Sequence, residues 1–431
     1  MLRSLKSIIP ERHPIRSAWH ACKAFVAALL CGFPARHLTV VSITGTDGKT
    51  TTASMVTAIL KASGKRTGLV STAFFSFGEN IEENPSHLTS ISPIKLQRML
   101  RRMVQSGCTH TVIEASSHGL RQHRLAWIWP GVAAITNLTP EHLDYHQSME
   151  QYCVDKGIVF RMLRGKGTKV LNADDKTYAS YDTIPSAATI TYSVHSPTHT
   201  LWLTNPHGDA THVEATLNAK DGTTAPLRLP MPGLYNLENA LCAIGCSMAC
   251  GIPIESALVA LRSFTGVPGR LERIDEGQPF AVFVDFAVSQ NAYERVLTTL
   301  RGIVGEERRI LVLCSACGNR MREKRPEIGR TCSAHANIVV VTHDETYGED
   351  PAAVLEEVWT GVDKTSCTAE KIPSRRAAIR FLLSEAKSGD AVVLCGMGPF
   401  STMTTLEGRI PWDERSIARE ELRALGYGNR T

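Results

Sequence analysis

Residues 42–52, Ser-Ile-Thr-Gly-Thr-Asp-Gly-Lys-Thr-Thr-Thr, constrain the fold more than any other stretch. The apolar run 37–43 predicts a buried strand. Residues 51–62, with Met55, Val56, Ile59 and Leu60 on one face, predict a helix. Between them lie Gly45, Thr46, Asp47, Gly48, Lys49 and Thr50, running into Thr51. A strand, a glycine turn, Lys-Thr and a helix is the local order that a phosphate-binding loop requires, although the spacing is shorter than in the common P-loop. Gly45 and Gly48 let backbone N–H groups curl round an anion, and the helix N-terminus adds partial positive charge. The Lys49 ammonium can reach outer phosphates, and the Thr50 hydroxyl suits a magnesium ion.

From residue 37 onward, strands and helices alternate as in a parallel α/β sheet. Strands are expected at 66–72, 109–114, 132–136 and 168–171, and helices at 92–104, 149–163, 237–249 and 254–263. Residues 185–230, rich in Thr, Ser and Val with turn signals at 207–209 and 221–222, read as antiparallel strands. The turn-rich 266–270 marks a boundary. A second α/β run follows, with strands at 281–285, 310–314, 338–342 and 391–395. The expected architecture is α/β: a lead-in (1–37) broken by Pro10, Pro14 and Pro34, a P-loop-containing central parallel-sheet domain (38–266), and a Rossmann-like C-terminal α/β domain (267–431).

A net charge of +5 on 431 residues does not argue for nucleic acid. The excess sits early: residues 1–40 hold Arg3, Lys6, Arg12, Arg16, Lys23 and Arg36 against Glu11. Such a lead-in has the chemistry to touch a membrane surface or an anionic ligand, and equally reads as a short helix with solvated charges. The apolar stretch 21–31 contains Lys23, is too short to span a bilayer and lacks a cleavage site, so no transmembrane segment or signal peptide is expected and the cytoplasm is the expected location. The twelve cysteines show no disulfide-like spacing, and Cys314-Ser-Ala-Cys317 has no second pair.

Glu114 closes a strand in Ile113-Glu114-Ala-Ser-Ser-His118, and carboxyl ends of parallel strands face the ligand crevice. Glu114 there can hold magnesium against phosphates. His142, in Asn137-Leu-Thr-Pro-Glu-His142-Leu-Asp144-Tyr-His146, is a second candidate ligand. Asp174 and Asp175 suit a ribose, a cation or a cap. Asn236 and Asn239 can read an adenine edge or cap a helix, and Arg270 can meet phosphate.

Assembled, these segments resemble the Mur ligase family, in its MurE type, whose members add the third amino acid to UDP-N-acetylmuramoyl-L-alanyl-D-glutamate. The resemblance covers about 38–424 and rests on ITGTDGKTTT, IEASSHGLRQHR, TNLTPEHLDYH, LNADD, MPGLYNLENA, VPGRLE and VDFA in family order. It implies an ATP-dependent amide-bond-forming ligase of peptidoglycan precursor synthesis, a cytoplasmic monomer that uses ATP and Mg2+, with a UDP-N-acetylmuramoyl-peptide and an amino acid as partners. Gly45 to Thr51 would hold ATP, with Asn239, Arg270 and Asp285 also on the nucleotide. Thr50, Glu114 and His142 would hold magnesium, and Lys156, carbamylated in the family, would supply an anionic oxygen to a second ion. Lys49, Lys156, His142 and Glu114 form the implied catalytic set. Thr89, Ser90, Ser116, Gln122 and Arg124 would contact the muramoyl-peptide.

The chain departs from the family in four places. Few residues precede the ATP domain where the family carries a UDP-binding domain, so UDP recognition is expected to be reduced or the substrate to differ. Asp285-Phe-Ala-Val288 lacks the family's His. The amino-acid motif Asp-Asn-Pro-Arg reads Asp344-Glu345-Thr346-Tyr347, and Tyr347 cannot make the charged bidentate pair of an Arg. Gly396-Met-Gly-Pro-Phe400 lacks the family's acidic group, so Glu345 is left as the carboxylate for a basic amino acid. Two further readings remain: a folylpolyglutamate-synthase-like ligase, and a non-catalytic ATP-binding relative.

Overall fold

In the computed structural model, which describes residues 12–428, the run 37–43 becomes strand β1 at Thr39–Thr44 behind a 3-10 turn at Pro34–His37. Val40, Val41 and Ile43 are fully buried, and burial on both faces is the condition of a strand inside a parallel sheet. The other strands of this sheet are β2 Thr67–Val70, β3 Phe74–Phe77, β4 Asn80–Glu83, β5 His110–Glu114, β6 Val132–Ile135, β7 Thr168–Asn172, β8 Ala188–Ser193, β9 Leu201–Gly208, β10 Val213–Ala219 and β11 Thr224–Leu229. Their spatial order is β11-β10-β9-β8-β7-β6-β1-β5-β2-β3-β4. β1 pairs in parallel with β5 and β6, which puts the loop after Thr44 between the carboxyl ends of its two neighbours.

Three expectations are corrected. β8 pairs in parallel with β7, so the antiparallel region begins later than residue 185. Consecutive neighbours β9, β10 and β11 are joined by turns at 209–212 and 220–223, and connections that short demand antiparallel pairing. The helix expected at 149–163 divides at Gly157 into Met149–Lys156 and Ile158–Arg161. Pro14 does not break the lead-in: it occupies the first turn of a 17-residue helix, Pro14–Leu30, where its missing N–H costs nothing.

One face of the sheet is covered by the helices Lys49–Ala62 and Tyr235–Ala249, which pack on each other. A core of Val40, Ile113, Ala133, Leu96, Met99, Leu100, Met103, Val159 and Phe160 joins the sheet to the helix Pro93–Gln105 and to Ile158–Arg161.

The chain divides into two units. The first is Met1–His207 with Glu214–Leu229 and Tyr235–Phe264; the second is Thr265–Thr431 with Gly208–Val213 and Pro230–Leu234. The second unit carries its own sheet of β12 Glu272–Ile274, β13 Ala281–Asp285, β14 Ile310–Cys314, β15 Ile338–Val341, β16 Thr368–Lys371 and β17 Ala391–Cys395. The order is β12-β13-β17-β14-β15-β16, parallel except for β12. A small hairpin, β18 Thr402–Thr405 and β19 Gly408–Pro411, follows. Arg375 and Glu414 form a buried ion pair with Nη2 and Oε1 2.6 Å apart.

Candidate active site

β1 feeds the chain into Gly45 at φ 146° and then Gly48 at φ 77°, backbone that side chains disfavour. Space demands glycine as well. A Cβ on Gly45 would stand 1.8 Å from Thr136 Oγ1, and one on Gly48 2.1 Å from Asn239 Oδ1. The loop is held from outside: Thr46 N donates to Asn137 O at 2.9 Å, Asp47 N to Asn137 Oδ1 at 3.0 Å, and Thr136 Oγ1 to Asp47 O at 2.6 Å. Lys49 Nζ curls over it, donating to Gly45 O at 3.0 Å and Thr46 O at 2.7 Å. The helix Lys49–Ala62 opens without a side-chain cap, so its first-turn amides, with Thr50 and Thr51 buried among them, face the loop. This cradle fits a phosphate chain. Gly48→Ala is expected to weaken ATP affinity about tenfold or more by calorimetry, since left-handed strain alone costs about 1–2 kcal/mol and the Asn239 amide must move.

Glu114, at the end of β5, is fully buried. Its carboxylate accepts from Thr72 N at 3.2 Å and Thr72 Oγ1 at 2.9 Å, and among the described residues no cation neutralises it. A buried carboxylate without a cation is costly, and hard oxygen donors suit magnesium, so the Glu114 carboxylate has the chemistry to take such an ion. Thr89, Ser90, Ser116, Gln122 and Arg124 form one linked network beside it. Thr89 Oγ1 lies 2.9 Å from Thr72 Oγ1, and Ser116 donates to Ser90 Oγ through N at 2.9 Å and Oγ at 3.0 Å. Arg124 donates through Nη1 to Ser90 O at 2.8 Å and through Nη2 to Gln122 Oε1 at 2.6 Å.

His142 sits at φ 54°, half-exposed, its ring edge-on to His118 with centroids 4.8 Å apart. Among the described residues, no group of three His, Cys, Asp or Glu is gathered as a metal cluster. Lys156 is only 1 % exposed. Its Nζ donates to Gly45 O at 2.5 Å and lies 4.7 Å from the centre of the Tyr152 ring. Burial, then the charge of Lys49, holds this amine well below the usual lysine value.

Sequence reasoning missed the chain that braces these groups. His146 Nδ1 lies 2.7 Å from Asp155 Oδ2 and Nε2 lies 2.9 Å from Ser117 Oγ, all three residues buried. The carboxylate fixes the proton on Nδ1 and leaves Nε2 to accept the serine hydroxyl. Arg12 Nη2 reaches the same Asp155 oxygen at 2.7 Å. Burial raises the Asp155 carboxyl, but hydrogen bonds from His146 and Arg12 more than offset it and hold it below the usual value. The only signals in the sequence are that Ser117 and His146 lie inside quoted motifs and Asp155 precedes Lys156. Asp174 and Asp175 tie separate segments together: Asp174 accepts from Val194 N at 2.7 Å and Asp175 from Leu138 N at 2.6 Å, and Asp175 also accepts from Thr177 N at 2.8 Å in its own turn.

Asn239, on the helix Tyr235–Ala249, packs against the loop at Gly48, and its Oδ1 lies 3.4 Å from Thr52 Oγ1. The remaining candidates lie in the second unit. Arg270 stacks over Phe286 at 4.7 Å, and Asp285 accepts from Leu271 N at 2.7 Å. Asp344 accepts from Ser315 Oγ at 2.6 Å. Glu345 is buried and accepts from Tyr347 OH at 2.8 Å and Thr404 N at 3.0 Å.

The Mur ligase middle domain family matches residues 43–247, and the Mur ligase glutamate ligase domain family matches 269–398. A UDP-N-acetylmuramyl-tripeptide synthetase of Roseiflexus sp. is 36% identical over 430 residues, 94% of this chain and 82% of the relative. A UDP-N-acetylmuramoyl-L-alanyl-D-glutamate–2,6-diaminopimelate ligase of Geobacillus thermodenitrificans is 32% identical over 92% of this chain and 81% of the relative. A solved structure of a ligase with that same description aligns with a TM-score of 0.63 at 26% identity, over 90% of this chain and 79% of that one. A phosphate cradle closed by Gly45 and Gly48, with a buried glutamate and a buried lysine around it, thus sits in a chain that belongs to the Mur ligase family, among its MurE-type ligases.

Proposed function

We propose that this chain is an ATP-dependent acid–amino-acid ligase that extends UDP-N-acetylmuramoyl-L-alanyl-D-glutamate by one amino acid in peptidoglycan precursor synthesis. The observation that carries the reading is Lys156, buried against the Gly45 carbonyl at 2.5 Å beside the phosphate cradle, a placement a merely solvated lysine never takes. The loop amides and Lys49 bind and orient the ATP phosphates. Thr50, Glu114 and His142 would hold magnesium, which when bound neutralises phosphate charge. The Ser90, Ser116 and Arg124 network orients the muramoyl-peptide so that its glutamyl carboxylate attacks the γ-phosphorus in line, the bond to the bridging oxygen breaks and ADP leaves. The resulting acyl phosphate is then attacked by the incoming amine, and phosphate leaves. Catalysis on this reading is positioning and charge neutralisation. Carbamylated Lys156 would put an anionic oxygen ligand where the buried amine stands. The reaction is placed in the cytoplasm, where ATP and nucleotide-activated precursors are found.

The relatives named for diaminopimelate do not fix the amino acid here. The Tyr347 hydroxyl is committed to Glu345 and carries no charge for a second carboxylate, which favours an amino acid without one. The test is phosphate release with the muramoyl-dipeptide substrate across a panel of amino acids, with Lys49→Ala as control. Release with one amino acid, abolished in the variant, supports the proposal. Silence across the panel with ATP still bound overturns it in favour of a non-catalytic nucleotide binder.

A further inference from the structure

The helix Pro14–Leu30 is inverted relative to an ordinary surface helix. Its inward face is small and narrow, with Ala24, Ala27 and Ala28 buried, and it packs on the helix Pro93–Gln105. Its outward face carries the large apolar side chains. Leu30 is 68 % exposed, Ile15 64 % and Trp19 59 %, and Phe25, Val26 and Leu29 are exposed with them. Positions 15, 19, 22, 26 and 29–30 fall on one stripe at helical spacing, interrupted only at its edge by Lys23. Contiguous exposed apolar surface on this scale marks a site of interaction.

Charge narrows the occupant. No Asp or Glu occurs from Arg12 to Thr46, whereas Arg16, Lys23 and Arg36 lie in that span. Beside the helix, a cavity of about 220 Å³ is lined by Ala21, Trp127, Trp129, Ile158, Met162 and Arg164, and Arg164 is exposed. Phe25, Phe33, Trp127 and Trp129 form an aromatic cluster, with Phe25 5.3 Å from Trp127 and Arg36 4.9 Å from Phe33. Apolar stripe, aromatic belt and basic flank are the three features of a helix that lies in a bilayer interface. Among the described residues no helix is long and apolar enough to cross a membrane, so the stripe can lie on a bilayer and not span it.

We infer that the outward face of Pro14–Leu30, with its basic and aromatic surround, seats the protein on the surface of a membrane containing anionic phospholipid. The apolar side chains enter the headgroup boundary while Arg16, Lys23, Arg36 and Arg164 meet lipid phosphates. Binding then depends on both apolar area and negative surface charge, and weakens with salt.

The test is co-sedimentation of the full chain with vesicles of phosphatidylcholine alone and of equal parts phosphatidylcholine and phosphatidylglycerol. The expected result is binding to the anionic vesicles only, reduced by salt, and lowered more than about tenfold in Trp19→Ser/Val26→Ser/Leu30→Ser, since each position loses an apolar group from the interface. All three positions are exposed and outside the binding machinery, so ATP affinity is expected to stay unchanged and to report that the variant is folded. Equal binding by the variant, no binding to either vesicle, or indifference to lipid charge would each overturn the proposal. So would a dimer in sedimentation velocity without vesicles that the same variant dissolves, because the stripe would then be an interface between two copies of the chain.

Discussion

Lys156→Ala is expected to lower ligase turnover by on the order of a hundred- to a thousandfold while ATP affinity changes little. The side chain is buried, its amine donates to the Gly45 carbonyl at 2.5 Å, and the charge of Lys49 is felt there. Two ammonium groups beside one loop repel, and burial favours the neutral amine, the form that adds CO2. On the proposed reading, a carbamate at Nζ would carry negative charge beside the phosphate loop and supply an oxygen ligand there. Lys156→Arg separates this role from packing. Arginine keeps length and positive charge but is always protonated and takes up no CO2. It is expected to be as inactive as the alanine variant, and the intact mass of the unaltered protein is expected to exceed the sequence mass by one CO2. An active Lys156→Arg enzyme would show that the lysine serves only as a buried cation.

The second large effect falls on stability. Arg375→Met is expected to destabilise the second unit by about 3–5 kcal/mol in urea unfolding, because it leaves the Glu414 carboxylate buried and uncompensated. Arg375 donates to both Glu414 oxygens, to Cys395 O at 2.6 Å and to His343 O at 3.0 Å, tying the ends of β15 and β17 to the final helix, Glu414–Ala424. Neighbouring charges, Glu414 foremost, overcome burial and keep the guanidinium protonated. Arg375→Met with Glu414→Gln is expected to recover part of the loss, since it removes the stranded charge. A single variant within about 0.5 kcal/mol of the original would mean that solvent or another group satisfies Glu414.

The sequence was most legible where a short segment decides its own structure. Residues 281–285, 310–314 and 391–395 are apolar runs between polar ends, and they form β13, β14 and β17 with those bounds because each is buried on both faces. Pairing partners and direction were less legible. β4 is exposed along its length and is a strand only because β3 pairs with it, so nothing in Asn80–Glu83 itself announces it. The parallel direction of β8 is set by the crossover that precedes it, whereas its Thr-rich composition signals only a strand.

The same division holds for the site. The cradle was readable because Gly45, Gly48, Lys49 and Thr50 act through backbone geometry that spans a few residues. The Ser117–His146–Asp155 chain was not, since it forms only when three segments separated by 29 and 9 positions meet in a buried space. Lys169 is a similar case: it is buried and donates to Tyr181 O at 3.0 Å, Asp182 O at 2.7 Å and Ile184 O at 2.7 Å, a helix-end cap that no local pattern reveals.

The central claim is that this chain activates a carboxylate by phosphorylation before joining it to an amine. The most direct measurement starts from muramoyl-dipeptide carrying heavy oxygen in its glutamyl carboxylate and weighs the phosphate released in the presence of ATP, magnesium and the amino acid that supports turnover. One labelled oxygen in that phosphate is the expected result, because the carboxylate oxygen bonded to phosphorus leaves with it. Unlabelled phosphate, released at the same rate with all label retained in the peptide, would contradict the claim and leave an ATPase whose hydrolysis is uncoupled from amide formation.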